Sequence, residues 1–307
     1  IKNGRINTDD LIYLDDSTFA KIKKYIIEEN DIAITIVGAS IGDIGFATKE
    51  VNGFNLTENA VRLTNFKDNV SSQYLFYLLV QNQYKEFMQT IAGGAAQPKL
   101  GIYKIQRIKV QLPPLPTQQK IASILSAYDN LIQNYKKQIE ALQTAASELY
   151  KEWFVRFRFP GYQTTKFENG IPEGWKVVLA SELGEFVRGK NITAEEMQEG
   201  MIPVISAGIG PSGFHNQSNV KGVSLTISNS GANAGYLQIN YSDIWAADCS
   251  YCNSAKHIYF YYELLNNMRV VLFNLQKGAA QPHVYAKDIN KMKIILPPSE
   301  LIETANK

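Results

Sequence analysis

Three groups of residues have types and spacings that could do chemistry. Gly38, Gly42 and Gly45 could cradle a phosphate, but they lack both the Gly-x-Gly-x-x-Gly spacing and a Gly-Lys-Ser/Thr ending. They read as a tight strand-to-strand turn whose backbone donors could lie near a polyanion, and Gly231 and Gly235 form a counterpart. Cys249-Ser-Tyr-Cys252, with His257 beyond it, resembles half of a zinc site. A fourth ligand is not at hand, so the expectation is two thiols on a buried strand and no metal. His215, His257 and His283 have no Ser and Asp partners at a spacing that argues for nucleophilic catalysis. Leu112-Pro113-Pro114 and Leu296-Pro297-Pro298 lack the Asn/Asp-Pro-Pro-aromatic pattern of adenine methyltransferases, and a Walker motif is absent. The expectation is a non-catalytic protein without a cofactor.

The elements that must position such residues are organised around residues 116–159, read as one long helix. Ile121, Leu125, Tyr128, Ile132, Tyr135, Ile139, Leu142, Ala146, Leu149 and Trp153 alternate steps of four and three, the spacing of a coiled-coil seam. Neither Gly nor Pro interrupts the run. Prolines precede it, with Pro116 suited to the first turn, and Phe159-Pro160-Gly161 stops it. Such a rod, roughly 60 Å long at 1.5 Å per residue, needs a partner helix along its apolar stripe.

Residues 1–115 read as a mixed domain. Asp31–Val37 is rich in β-branched residues and predicts a strand, residues 71–91 a helix, and Ile105–Leu112 a further strand. Residues 160–298 repeat this domain. Phe76–Pro114 set against Phe260–Pro298, at an offset of 184, gives 13 identities in 39 positions, including Gly-Ala-Ala-Gln-Pro and Leu-Pro-Pro. Shared composition alone would give roughly two or three. The second copy has an N-terminal portion, roughly 174–215, that the first lacks. Residues 299–307 read as the start of a second long helix, and with Ile1 in place of Met the expectation is a fragment of a longer domain–rod–domain–rod chain.

Composition narrows the class. Residues 1–115 carry 13 basic against 12 acidic side chains, 116–159 carry 6 against 4, and 160–307 carry 12 against 13, summing to +2. This is not the profile of a protein that binds nucleic acid by phosphate neutralisation alone. No apolar run reaches membrane-spanning length, and two cysteines provide no disulfide framework, so a cytoplasmic location is expected.

Two copies of a domain, each ending in Leu-Pro-Pro and running into a long helix, resemble the specificity (S) subunit of type I restriction-modification systems. Pro114-Leu115-Pro116-Thr117-Gln118-Gln119-Lys120-Ile121 is similar to that family's helix-entry motif, Ala96-Gln97-Pro98 to the motif before it, and Glu173-Gly174-Trp175 to its domain opening. The resemblance implies an α+β fold: two mixed α/β target recognition domains joined by a long coiled-coil helix. It also implies that each domain reads half of a split site in double-stranded DNA. Antiparallel helices would set the spacing, with partners in two methyltransferase subunits and, through the complex, motor-nuclease subunits.

Candidate DNA contacts are Arg5, Ser40, Gln97 and Lys99 in the first domain. In the second they are Arg188, Lys190, His215, Asn216, Lys221, Asn233, Gln281 and His283. The glutamines could bind adenine or satisfy turn backbone equally well. Two rival readings stay open: the recognition portion of a fused restriction-methyltransferase, and a coiled-coil scaffold that touches no DNA.

Overall fold

In the computed structural model the residues described are 1–8, 11–94, 98–278 and 281–306. They form two compact units, Ile1–Lys137 and Gln138–Lys307, so the long helix is shared between them.

The first unit opens with β1 (Gly4–Arg5) and α1 (Asp16–Ile22), followed by β2 (Ile32–Thr35), β3 (Ile44–Phe46) and β4 (Ala60–Leu63). These strands order as β1-β3-β2-β4, with β2 antiparallel to both β3 and β4. Ile32, Ala33 and Ile34 are fully buried, as a β-branched run at a sheet centre should be.

The helix expected over 71–91 is two: α2 (Ser72–Leu79) and α3 (Asn82–Ile91). The buried residues explain the break. Phe76 and Leu79 of α2 and Met88 of α3 enter one core. On a straight helix, at about 100° per residue, Met88 would face opposite Leu79. Extended backbone at Gln81 reorients the chain so that all three turn inward.

The strand expected over Ile105–Leu112 does not form. The short helix α4 (Ile102–Ile105) covers its start, and residues 108–114 are unpaired. The second unit supplies the reason. Its equivalent segment is a strand because it pairs with Lys176–Leu179, a stretch with no counterpart among the described residues of the first unit.

The helix α5 (Leu115–Tyr150) ends in a π-helical turn at Lys151–Val155, followed by Phe157 with φ of 54°, a left-handed backbone rare for a bulky residue. Its start is fixed to the first unit by Gln118 and Ala122, both buried. Its end enters the second unit's core. There Phe154 packs edge-on against Phe260 at 4.9 Å between ring centroids, and Phe157 meets Trp175 at 5.3 Å.

The second unit continues with β5 (Phe167–Glu168), β6 (Ile171–Pro172), β7 (Lys176–Leu179), β8 (Val187–Arg188), β9 (Ile202–Ile205) and β10 (Pro211–His215). Then come β11 (Ser224–Ser228), β12 (Leu237–Asn240), β13 (Trp245–Ala246), β14 (Cys249–Cys252), α6 (Ile258–Asn267), α7 (Arg269–Asn274), α8 (Ala286–Asn290), β15 (Lys293–Leu296) and α9 (Ser299–Ala305). The main sheet orders as β12-β11-β14-β8, a second sheet as β10-β9-β13, and β7 pairs with β15. Strands β11, β12 and β14 repeat β2, β3 and β4 in register. Leu225 faces Cys252 as Ile32 faces Leu63, and Ser228 faces Cys249 as Thr35 faces Ala60. The two thiols therefore occupy positions that the first unit fills with Ala60 and Leu63, and both are buried.

Candidate nucleic-acid interface

The two units build one local structure twice, from residues far apart in sequence. In the first, the turn after β2 closes with Ile41 N–H on Gly38 O and Asp43 N–H on Ser40 O. In the second, Ala234 N–H bonds Gly231 O and Tyr236 N–H bonds Asn233 O. Glycine is required at these turns because Gly38, Gly42, Gly231 and Gly235 all have φ between 75° and 88°. The expected strand-to-strand turn is thus observed in both repeats.

The Gly-Ala-Ala-Gln-Pro loop is clipped onto this turn by matching hydrogen bonds. Gly38 N–H donates to Pro98 O at 3.2 Å and Leu100 N–H to Ile36 O at 2.8 Å. Their counterparts are Gly231 N–H to Pro282 O at 3.1 Å and Val284 N–H to Asn229 O at 2.9 Å. Each loop neck is closed by a pair of bonds, between Gly93 and Lys99 and between Lys277 and His283. The turn and the base of the loop therefore lie side by side in each unit. The clip gathers Ser40 and Lys99 in the first unit and Asn233, Gln281 and His283 in the second. Lys99, Ser40 and Gln281 are exposed, while Asn233 and His283 are half-buried. Gln97 lies outside the described residues.

The second unit adds a polar cleft of about 160 Å³ at this place, lined by Arg188, Asn229, Asp248, Ser250, His283 and Tyr285. Arg188 stands on β8 opposite Ser250. Ser250 Oγ donates to Asn229 Oδ1 at 2.6 Å, and Ser230 Oγ donates to Asp248 Oδ2. The His283 ring lies nearly parallel to Tyr285, 17° apart. Gly189 fixes the chain between Arg188 and Lys190. Its N–H donates to Cys249 O at 2.8 Å, Lys190 N–H donates to Ala246 O at 2.9 Å, and a Cβ at Gly189 would collide with Ala246 and Ala247 carbonyls.

Lys190 lies over the Trp245 ring at 6.0 Å and is not among the residues lining the cleft. His215 meets that ring edge-on, at 89°. It is also buried, and its Nδ1 accepts Gln198 N–H at 3.0 Å, so His215 braces β10 and does not form part of the exposed set. Asn216 is exposed and donates to Gln198 Oε1. Lys221 pairs with Asp243 at 2.7 Å. Arg5, exposed on β1, pairs with Phe46 at the far edge of the first sheet. In the second unit Arg188 and His283 line one cleft, Gln281 and Asn233 belong to the loop and turn joined by the clip, and Lys190, Asn216 and Lys221 are not among the cleft's lining residues.

Along α5, Ile121, Leu125, Tyr128, Ile132, Tyr135, Ile139, Leu142 and Leu149 are all more than a third exposed, an apolar stripe left uncovered among the described residues. Trp153 sits beyond α5, half-buried against the second unit's core, edge-on to Phe154. In the second unit the stripe borders an apolar groove of about 260 Å³, lined by Leu142, Ala146, Leu149, Ile239, Tyr259 and Ala305. Burial raises the pKa of Glu263, which also lines it.

Sequence reasoning missed Gln118 as a structural residue and Asn229, Asp248, Ser250 and Tyr285 as cleft residues. The signal for Asn229 and Ser250 was available, since they replace Ile36 and Val61 of the first repeat.

Comparison with known proteins follows the same lines. Residues 1–144 and 172–301 match the family model described as the type I restriction modification DNA specificity domain. The chain is 28% identical to the type I restriction enzyme MjaIX specificity subunit of Methanocaldococcus jannaschii over 298 residues, covering 88% of this chain and 68% of that protein. It is 35% identical to the MjaVIII specificity subunit of the same organism over 186 residues, 60% of this chain but only 42% of that protein. Among solved structures, the S subunit of a type I restriction-modification system from M. genitalium superposes with a TM-score of 0.63 at 18% identity, covering 92% of this chain and 76% of that one. That likeness concerns the fold.

Proposed function

Because this chain belongs to the type I restriction-modification DNA specificity family, we propose that its two repeats are target recognition domains, each reading one half of a bipartite site in double-stranded DNA. It is a specificity subunit rather than a catalytic one. The observation that carries the DNA reading is the repeated clip. The same hydrogen bonds hold the same loop against the same turn in both units, while the side chains displayed there differ, Lys99 and Ser40 against His283 and Asn233. A constant backbone with variable polar tips suits recognition of two different half-sites.

We further propose residues 1–115 and 160–298 as the two domains, 116–159 as the spacer and 299–307 as the beginning of a second such helix. The exposed stripe of α5 pairs with that helix in a coiled coil and recruits methyltransferase subunits, two per complex, with motor-nuclease subunits joining through them. The complex works in the cytoplasm.

The test is a gel-shift titration of the chain, with and without purified methyltransferase subunits, on duplexes carrying sites mapped from methylated adenines in host DNA. Retardation should be stronger on such duplexes than on scrambled ones. Equal retardation, or none at low salt, would overturn the reading.

A further inference from the structure

The cleft of the second unit is made from positions that the same fold fills with apolar side chains in the first. Asn229 holds the position of Ile36, since each carbonyl accepts the equivalent amide, from Val284 and from Leu100. Ser250 holds that of Val61, since each faces the equivalent strand residue, Ile227 and Ile34. Ile36 and Val61 pack on the first unit's core. The fold therefore has no need of polarity here. Asn229 is 6% exposed and Ser250 1%. Burying an amide and a hydroxyl costs stability unless their hydrogen bonds are made. Their mutual bond uses the Oδ1 side of the Asn229 amide and does not involve its Nδ2 donor.

The remaining groups describe a ligand. Asn229 and Arg188 donate, Asp248 accepts, and the rings of Tyr285 and His283 flank them. Donors and an acceptor set beside aromatic rings suit a flat, polar heterocycle more than a simple anion, which the Asp248 carboxylate would repel. The volume of about 160 Å³ is well below the roughly 300 Å³ at which sites for drug-sized ligands begin, so it has room for one ring system. Bases within a duplex are read by side chains that protrude into a groove. A concave site receives a group that itself protrudes.

We propose that this cleft binds a single nucleobase that is not stacked in a duplex. Asn229 and Asp248 meet its hydrogen-bonding edge, and Tyr285 meets its face. The base comes either from an extruded position in DNA, which rests on the function proposed above, or from a free nucleoside, which does not.

The first unit designs the test. N229I/S250V installs the pair that the equivalent positions already accept, so the fold should survive, which thermal melting verifies. R188A, at an exposed side chain, is a second variant that leaves the core untouched. The full chain is titrated with adenosine, guanosine, cytidine and thymidine by saturation-transfer NMR. It is also titrated with fully paired DNA and with the same duplex carrying one unpaired base. Wild type should bind at least one nucleoside saturably, and both variants should lose at least tenfold in affinity. Preference for the duplex with the unpaired base would assign DNA as the source, and no preference would assign the free nucleoside. Absence of saturable nucleoside binding by wild type, or unchanged affinity in N229I/S250V, would overturn the proposal. Duplex binding that is equal in wild type and variants would leave the DNA reading standing, whereas failure to bind any duplex would remove that reading without touching the nucleoside result.

Discussion

The side-chain oxygen of Gln118 accepts the backbone N–H of Ser71 at 2.9 Å, joining the first turn of α5 to the cap of α2. The same amide, on a residue only 1% exposed, donates to Asn69 O at 3.0 Å and Pro113 O at 2.7 Å. One residue thus holds the helix entry, the preceding proline segment and the helix beneath it. In the second unit the equivalent position is Ile302, also 1% exposed. Gln118→Leu keeps the volume but leaves the part-buried Ser71 N–H and the Asn69 and Pro113 carbonyls without this partner. The first unit should lose about 1–3 kcal/mol in urea unfolding, and a variant as stable as wild type would show that the amide is dispensable.

Gly189 is hemmed in by the Ala246 and Ala247 carbonyls, so Gly189→Ala must push β8 away from β14. Overpacking of this kind costs about 1–3 kcal/mol. Arg188 and Lys190 move with the displaced strand, and duplex affinity should fall further than the loss of folded protein explains. Parallel melting and gel-shift curves separate the two effects.

Burial pushes the Cys249 thiol up to about 12 and raises Cys252 as well. The folded state then holds the Cys249 proton more tightly than the unfolded chain, where a thiol titrates at roughly 8.5. The stabilising contribution is complete below that value and is lost as pH rises toward the folded one. In native protein at pH 8, Ellman's reagent should label neither thiol within minutes and both after urea. Rapid native labelling of Cys249 would contradict the buried-strand assignment.

Ile132 is 50% exposed at the middle of the α5 stripe, between Tyr128 and Tyr135. Ile132→Asp should alter the chain's own stability by only about 0.5 kcal/mol, as at an exposed helix site. It should nonetheless abolish co-elution with methyltransferase subunits on size exclusion. Retained co-elution at wild-type affinity would remove the stripe from the interface.

Much of this molecule was legible in its sequence because the evidence was local. The run Ile32–Thr35 is β-branched, α5 has no breaker, and the repeated Gly-Ala-Ala-Gln-Pro blocks announced two copies of one domain. What escaped was decided by partners at a distance. Residues 109–112 and 293–296 both begin with Lys and end with Leu, but only the second is a strand, because only it has Lys176–Leu179 to pair with. The break between α2 and α3 follows from where Met88 must point, which a periodicity over 71–91 does not reveal. His215 looked like a surface contact by residue type, and its burial under Trp245 depends on a β-strand thirty positions on. The candidate site was half legible: the loops were found by repetition, but the cleft required knowing that β8 lies against β14.

The difference in pairing has a consequence for how each domain resists unwanted association. In the second unit β8 covers the flank of β14, whereas in the first β4 is the outermost strand among the described residues. Uncovered strand edges are templates for foreign β-structure unless something blunts them. Here Arg62 does so from within β4, its guanidinium held by Asp31 at 2.9 Å with Glu28 nearby at 3.7 Å. Pro113 and Pro114, just after the unpaired stretch 108–112, deny amides to any strand extending along it. The first domain thus carries gatekeepers where the second carries a neighbour. Removing the Arg62 charge would be felt first as aggregation, before any change in what the protein recognises.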